Sequence, residues 1–295
     1  MKKQIFAEED KKRGSRFTFI GFRILVIAML FITNILIARA DDRDKIAPED
    51  RIENWKGKTV LIFTPHPDDD TFECGGIMSI LTKNGNKVVL VIYTNDNKGS
   101  LDLDMTSERL ARIRRVEEEE ACKSLGVLKE NIHWLGYGDG DLEYADPQRL
   151  RGEASRFIKM FRPDAIFSID PGEDHERWHK TDHRMAAFIT QDAFIASEWH
   201  LYYPQHYLDE KLIPFRVPLA FYYYTIASNY QVDITSVIDQ KIEASAKHVS
   251  QFSPSLDKYS PDMSNETYQK IDSEFKRMHK AGDRYIERFR RMVNP

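Results

Sequence analysis

Residues 58–94 read KTVLIFTPHPDDDTFECGGIMSILTKNGNKVVLVIYT, and this stretch decides the fold. Residues 58–64 and 87–94 are short, β-branched and almost continuously apolar, the pattern of strands buried on both faces of a parallel sheet. Helical spacing over residues 75–83 lies between them, so the segment predicts a βαβ unit. Directly after its first strand stand His66, Pro67 and three consecutive aspartates, Asp68, Asp69 and Asp70, then Cys74, Gly75 and Gly76.

The alternation continues outward. Residues 107–125 have helical spacing and stop at Gly126, a C-terminal cap signal, and NIHWLG after it reads as a strand. Within that helix, Glu117 to Glu120 are expected to form a solvated face. A helix over 149–161 precedes the strand DAIFSID (164–170), whose exit loop PGEDHERWHKTDH opens into the helix RMAAFITQDAFIA. PLAFYYYTI (218–226) and YQVDITS (230–236) predict further strands, with a helix over about 238–251 and an amphipathic C-terminal helix over about 266–292. The expected fold is one α/β domain over 57–295, Rossmann-like, with a mostly parallel sheet and helices on both faces. Ligands in such folds sit at the carboxyl ends of the strands.

The chain has 295 residues, with 43 basic and 47 acidic side chains well mixed and a formal net charge of -4. It has no basic field of the kind nucleic-acid binding requires. Residues 1–40 differ from the rest: Lys2, Lys3, Lys11, Lys12, Arg13, Arg16 and Arg23 precede the apolar run ILVIAMLFITNILIA, and Ala38-Arg39-Ala40 has the form of a signal-peptidase site. The expectation is a signal peptide, or an uncleaved membrane anchor through residues 17–38, followed by a linker over 41–56. Either places the catalytic domain outside the cytoplasm. Cys74 and Cys122 are the two cysteines, each beside small or apolar neighbours in a helical pattern, and are expected as buried thiols.

The chemistry concentrates at strand ends. His66 and Asp69 can converge through the Pro67 turn, and an imidazole with a carboxylate makes a metal-ligand pair. Catalytic zinc takes three such protein ligands and leaves a position for water. The third ligand is expected from His175, His179 or His183, which cluster after the strand DAIFSID. With Asp69 on metal, the adjacent Asp68 is free to act as general base. Gly75 and Gly76 are expected to let the helix pack closely on the first strand.

HPDDD followed by Cys74-Gly75-Gly76 resembles the HPDDE motif of the LmbE-like, or PIG-L, family of zinc-dependent N-deacetylases. Arg114, Glu117 and Ala121 before Leu125-Gly126 are similar to that family's Arg-x-x-Glu-x-x-x-Ala helix, Asp139-Gly140-Asp141-Leu142 to its DG loop, and Thr181-Asp182-His183-Arg184 to its second histidine motif. Lys241 and His248-Val249-Ser250-Gln251 are similar to its late Lys and HxSQ segment, so the likeness runs over residues 58–251. It implies one zinc per chain held by His66, Asp69 and His183, with Asp68 as base. His179 is implied as the group that stabilises the oxyanion and protonates the leaving amine, in a loop with one extra residue that leaves Lys180 and His175 as alternatives. Arg114 and Asp141 are implied as substrate contacts, and Asp70, where the family has Glu, as support for the turn. The implied substrate is an N-acetylated amino sugar.

Two other functions compete. An aspartate-based phosphatase with DxDxT after its first strand fits Asp68 and Asp70, but Phe72 occupies the threonine position. A non-catalytic sugar-binding protein would use Trp178, Tyr222, Tyr223 and Tyr224, which are more simply strand and loop residues. The loops 96–106 and 199–217 carry no readable substrate code.

Overall fold

The apolar run after Lys58 becomes strand β1 (Thr59–Thr64), buried from Val60 to Thr64. It pairs in parallel with β2 (Lys87–Thr94), Thr59 opposite Lys87, and with β4 (Ala165–Ile169), Val60 opposite Ala165. β3 (Ile132–Tyr137) adds beside β2, and β5 (Leu219–Tyr223) beside β4, both parallel. The computed structural model describes residues 46–172 and 180–294. In it the sheet is completed by antiparallel β8 (Arg284–Val293), which pairs with β5, β6 (Tyr230–Asp233) and the short β7 (Lys280–Ala281). The strand order β3-β2-β1-β4-β5-β8-β6 reverses between β1 and β4. The crevice at the carboxyl ends of those two strands is where an open α/β sheet binds ligands.

Helices α1 (Asp69–Lys83), α2 (Ser107–Ser124), α3 (Pro147–Phe161) and α4 (Thr181–Ala196) follow β1 to β4 in turn. Leu61, Phe63, Val89, Val91 and Ile166 share one core with Leu150, Ala154 and Ile158 of α3 and Ile189 and Ala193 of α4. The alternate residues Val60, Ile62, Val88 and Leu90 are equally buried and point to the other face. There α1 and α2 pack with α6 (Ile238–Ser245), which follows the short α5 (Pro204–Leu208). Cap chemistry starts these helices: Thr106 accepts from the Arg109 N–H at α2, and Asp146 from Gln148 N–H at α3, where Pro147 takes the first position. Cys74 and Cys122 are buried free thiols, as expected.

Four expectations need correction. The C-terminal segment is not one helix over 266–292. Helix α7 (Asn265–His279), capped by Ser264, ends at His279, and the chain passes directly into β7 and reverses through Gly282 at φ 66° into β8. Basic residues interleaved with Ile286 and Phe289 suit either an amphipathic helix or a half-buried strand, and the Gly282-Asp283 turn decides for the strand. The predicted 230–236 strand shortens to β6, and the 238–251 helix breaks after Ser245 and resumes as a single 3-10 turn over Val249–Gln251. The glycines serve a different contact from β1: a Cβ at Gly76 would lie 2.5 Å from Ile234 Cγ2, and one at Gly75 3.2 Å from Lys241 Cγ. Gly76 and Ile77 instead donate backbone N–H to Glu287 at 2.7 and 2.8 Å, and Lys241 Nζ pairs with the same carboxylate at 2.6 Å. Residues 1–45, with the proposed signal or anchor over 17–38, lie outside the described residues; no described helix is long and apolar enough to cross a membrane.

Candidate metal and acid-base site

β1 ends in a turn from Pro65 to Asp68 that buried threonines hold. Thr64 Oγ1 donates to the His66 carbonyl at 3.0 Å, and the Thr94 N–H and hydroxyl both donate to the Pro65 carbonyl at 2.9 Å. Asp68 follows at φ 146°, Asp96 after β2 has φ 47°, and Tyr224 after β5 has φ 52°. Backbone of this kind costs about 1–3 kcal/mol per residue and collects where function demands it.

His66, Asp69 and His183 converge. His66 Nδ1 lies 3.1 Å from Asp69 Oδ2, His183 Nε2 lies 3.2 Å from His66 Nδ1, and His183 Nε2 lies 3.2 Å from Asp69 Oδ2. Three ligands about 2.0–2.1 Å from one tetrahedral ion stand about 3.3–3.4 Å apart, so this triangle fits a zinc-sized divalent metal. On its other side His66 Nε2 meets Asp182 Oδ2 at 3.2 Å and Asp139 Oδ1 at 3.3 Å. Asp182 is itself fixed by N–H groups of Gly140 at 2.6 Å and Leu142 at 3.1 Å. Two carboxylates hold the ring proton on Nε2 and leave the Nδ1 lone pair facing Asp69 and His183, the arrangement that orients metal-binding imidazoles. Burial disfavours the charged ring, but Asp139, Asp182 and Asp69 outweigh it and hold the His66 pKa well above its usual value, so a metal binding at Nδ1 would displace the second ring proton. Burial likewise pushes Asp69 up, and His183 and His66 overcome it, so Asp69 stays well below the usual carboxylate range.

Asp68 sits beside this triangle without belonging to it. Its Oδ2 accepts from Arg114 Nη2 at 2.7 Å. Burial raises its pKa to about 8 against the pull of Arg114, with Asp69 and Asp96 adding to the rise. A carboxyl tuned toward neutral pH and held in place is suited to proton transfer.

The structure corrects several expected roles. Arg114, expected at a substrate, is fully buried and turned to carboxylates of the protein. Besides Asp68 it donates to Asp96 Oδ2 at 2.7 Å, to Glu117 Oε2 at 3.1 Å and to the Pro67 carbonyl, so it fixes the Asp68 carboxylate in place. Glu117 and Glu118 are buried rather than solvated: Glu117 accepts from the N–H and hydroxyl of Ser250, both at 2.7 Å. Of the DG loop, Asp139 turns to His66, while Asp141 is half exposed and pairs with Lys98 at 2.9 Å. Asp70 points away from the triangle, its carboxylate grouped with those of Glu118 and the Cys122 thiol within 4.8 Å. Phe72, at the phosphatase threonine position, packs its ring against His248, Phe252 and Phe275. His175, His179 and Trp178 lie outside the described residues. Tyr222 and Tyr223 are sheet residues, but Tyr224 belongs to the site, donating from its hydroxyl to Asp69 Oδ1 at 2.9 Å.

Similarity to known proteins agrees with this geometry. The family described as "PIG-L: GlcNAc-PI de-N-acetylase" matches residues 61–194. Diacetylchitobiose deacetylase of Thermococcus kodakarensis is 34% identical over 195 residues, covering 66% of this chain and 70% of that protein. A probable N-acetyl-alpha-D-glucosaminyl L-malate deacetylase 2 of Bacillus cereus is 29% identical over 118 residues, 38% of this chain and 51% of the relative. Among solved structures, N,N'-diacetylchitobiose deacetylase from Pyrococcus horikoshii superposes with a TM-score of 0.69 at 31% identity, covering 80% of this chain and 84% of that one.

Proposed function

The chain belongs to the PIG-L family of de-N-acetylases, and from that premise we propose that it is a metal-dependent hydrolase removing acetyl groups from an N-acetylglucosamine-type sugar. The observation that carries this is the triangle of His66 Nδ1, Asp69 Oδ2 and His183 Nε2 with the separately held Asp68 carboxylate beside it. Those three residues would hold one zinc ion, which when bound lowers the pKa of water to about 7 and polarises a carbonyl.

Asp68 takes the proton from the attacking water, its Oδ2 fixed by Arg114 and its Oδ1 left for the transfer. Lys180 supplies a cation for the developing oxyanion. Burial pulls its pKa down, but Asp96, Asp69, Asp139 and Asp68 raise it above its usual value, which supports a permanent charge at this point. His179 is proposed to protonate the departing amine. The names of the matching relatives favour a short N-acetylated chito-oligosaccharide, and the apolar segment with Ala38-Arg39-Ala40 favours export. Recovery of the intact chain only from the cytosol on fractionation would refute export.

Acetate release decides the activity. The metal-loaded full-length protein, offered N-acetylglucosamine, N,N'-diacetylchitobiose and N-acetylglucosaminyl conjugates, is expected to yield acetate and a free amine in equal amounts from at least one. Binding of these sugars with no acetate from any of them would favour a non-catalytic sugar-binding protein.

A further inference from the structure

We propose that Tyr224 is a positioning residue that restricts Asp69 to metal ligation through a single oxygen and so keeps a coordination position open for water or substrate. The inference rests on the reading of His66, Asp69 and His183 as metal ligands.

The two oxygens of Asp69 have different surroundings. Oδ2 faces His66 Nδ1 at 3.1 Å and His183 Nε2 at 3.2 Å, and the His66 backbone N–H at 3.3 Å. Oδ1 accepts the Tyr224 hydroxyl at 2.9 Å. A carboxylate free at both oxygens can swing to chelate an ion with both. One whose second oxygen is held by a hydroxyl must break that bond to do so. The same tyrosine reaches a second ligand: its ring lies 5.5 Å from that of His183 at an interplanar angle of 25°, a stacked pair. Tyr224 therefore orients two of the three ligand side chains from one residue.

The backbone points the same way. β5 ends at Tyr223, and Tyr224 takes φ 52°, a left-handed conformation that a bulky residue rarely adopts. The two side chains accordingly diverge: the Tyr223 hydroxyl donates to the Phe63 carbonyl at 2.8 Å inside the sheet, while that of Tyr224 crosses to α1. The left-handed residue at the strand end is what delivers a phenol from β5 to an aspartate that follows β1, two strands away in the sheet order. A catalytic metal with three protein ligands needs its fourth position unfilled by protein, and a second oxygen from Asp69 would take it.

Cobalt(II) reports coordination number directly, because its visible d–d bands are stronger in four-coordinate than in five-coordinate sites. Cobalt-loaded Tyr224→Phe is expected to keep bound metal but show weakened, shifted bands, with kcat down about 10- to 100-fold and KM little changed. Tyr223→Phe, which removes the neighbouring buried hydroxyl, is expected to leave the cobalt spectrum as in the unmodified protein. A Tyr224→Phe spectrum and kcat matching the unmodified protein would overturn the role of Tyr224 while leaving the ligand triangle standing. Failure of the unmodified protein to bind cobalt would overturn both.

Discussion

Asp69 and Asp70 are adjacent in the first turn of α1 and meet opposite environments. Asp69 faces two imidazoles and a phenol at the carboxyl ends of β1 and β4, and despite burial its pKa stays well below the usual range. Asp70 faces α2, where its carboxylate groups with that of Glu118 and the Cys122 thiol. Burial, with Asp69's charge adding, pushes its pKa to about 7. Glu118 is raised by burial and then by Asp70, and His248 is pulled well below its usual value by burial and then by Arg114. The second cluster thus holds donor types that a metal accepts, two carboxylates and a thiol, with the His248 ring outside the group. Arg114 Nη1 donates toward His248 Nδ1 at 3.4 Å, and His248 Nε2 stands 3.7 Å from Glu118 Oε2, beyond hydrogen-bond reach. Residue types alone do not separate the two clusters; at the first, Asp139 and Asp182 take His66 Nε2 and so aim Nδ1 at Asp69 and His183.

The contrast breaks most severely at the triangle. Asp69→Asn is expected to lose both metal and turnover, whereas Asp68→Asn keeps its metal and loses turnover by about 10²- to 10⁴-fold; metal analysis beside an acetate assay separates the two. Next comes Arg114, which touches both clusters through Asp68 and His248. Arg114→Met leaves Asp68, Asp96 and Glu117 without their buried cation and is expected to cost about 3–5 kcal/mol in a denaturant melt. An undiminished midpoint would show that those acids are neutral without it. The smallest effect lies in the second cluster. A carboxyl whose folded pKa exceeds its unfolded value of 3.8 weakens the fold as pH rises from there toward about 7. Asp70→Asn removes that penalty and is expected to raise the melting temperature at pH 8 by about 2–4 °C, for a gain on the order of 1 kcal/mol, with the gain fading by pH 4. A drop in melting temperature at pH 8 would mean that Asp70 is ionised and paired in the fold.

Much of this was legible before any coordinates. Continuous apolar strands around a helix announce a parallel sheet, and a histidine and acids at a strand end announce a site, because both signals are local. What escaped depends on distant partners. Arg114 is expected at a substrate until Asp68 and Asp96 from two other segments, with Glu117 one turn along its own helix, surround it. Asp139 and Asp141 flank one glycine, and only the docking of that loop on Asp182 selects which of them meets His66. Tyr224 closes a run of aromatic strand residues, and no neighbouring glycine or proline marks the left-handed turn that sends it to Asp69. For the C-terminal hairpin a local signal existed in Gly282-Asp283, outweighed by a charge pattern that suits both periods.

The most direct test is a metal titration of the stripped full-length protein followed by acetate release. Turnover is expected to rise in proportion to metal bound, to saturate at one equivalent per chain, and to be absent in His66→Ala and His183→Ala at any metal concentration. Acetate release that persists after complete metal removal, or survives in either variant, would contradict the account.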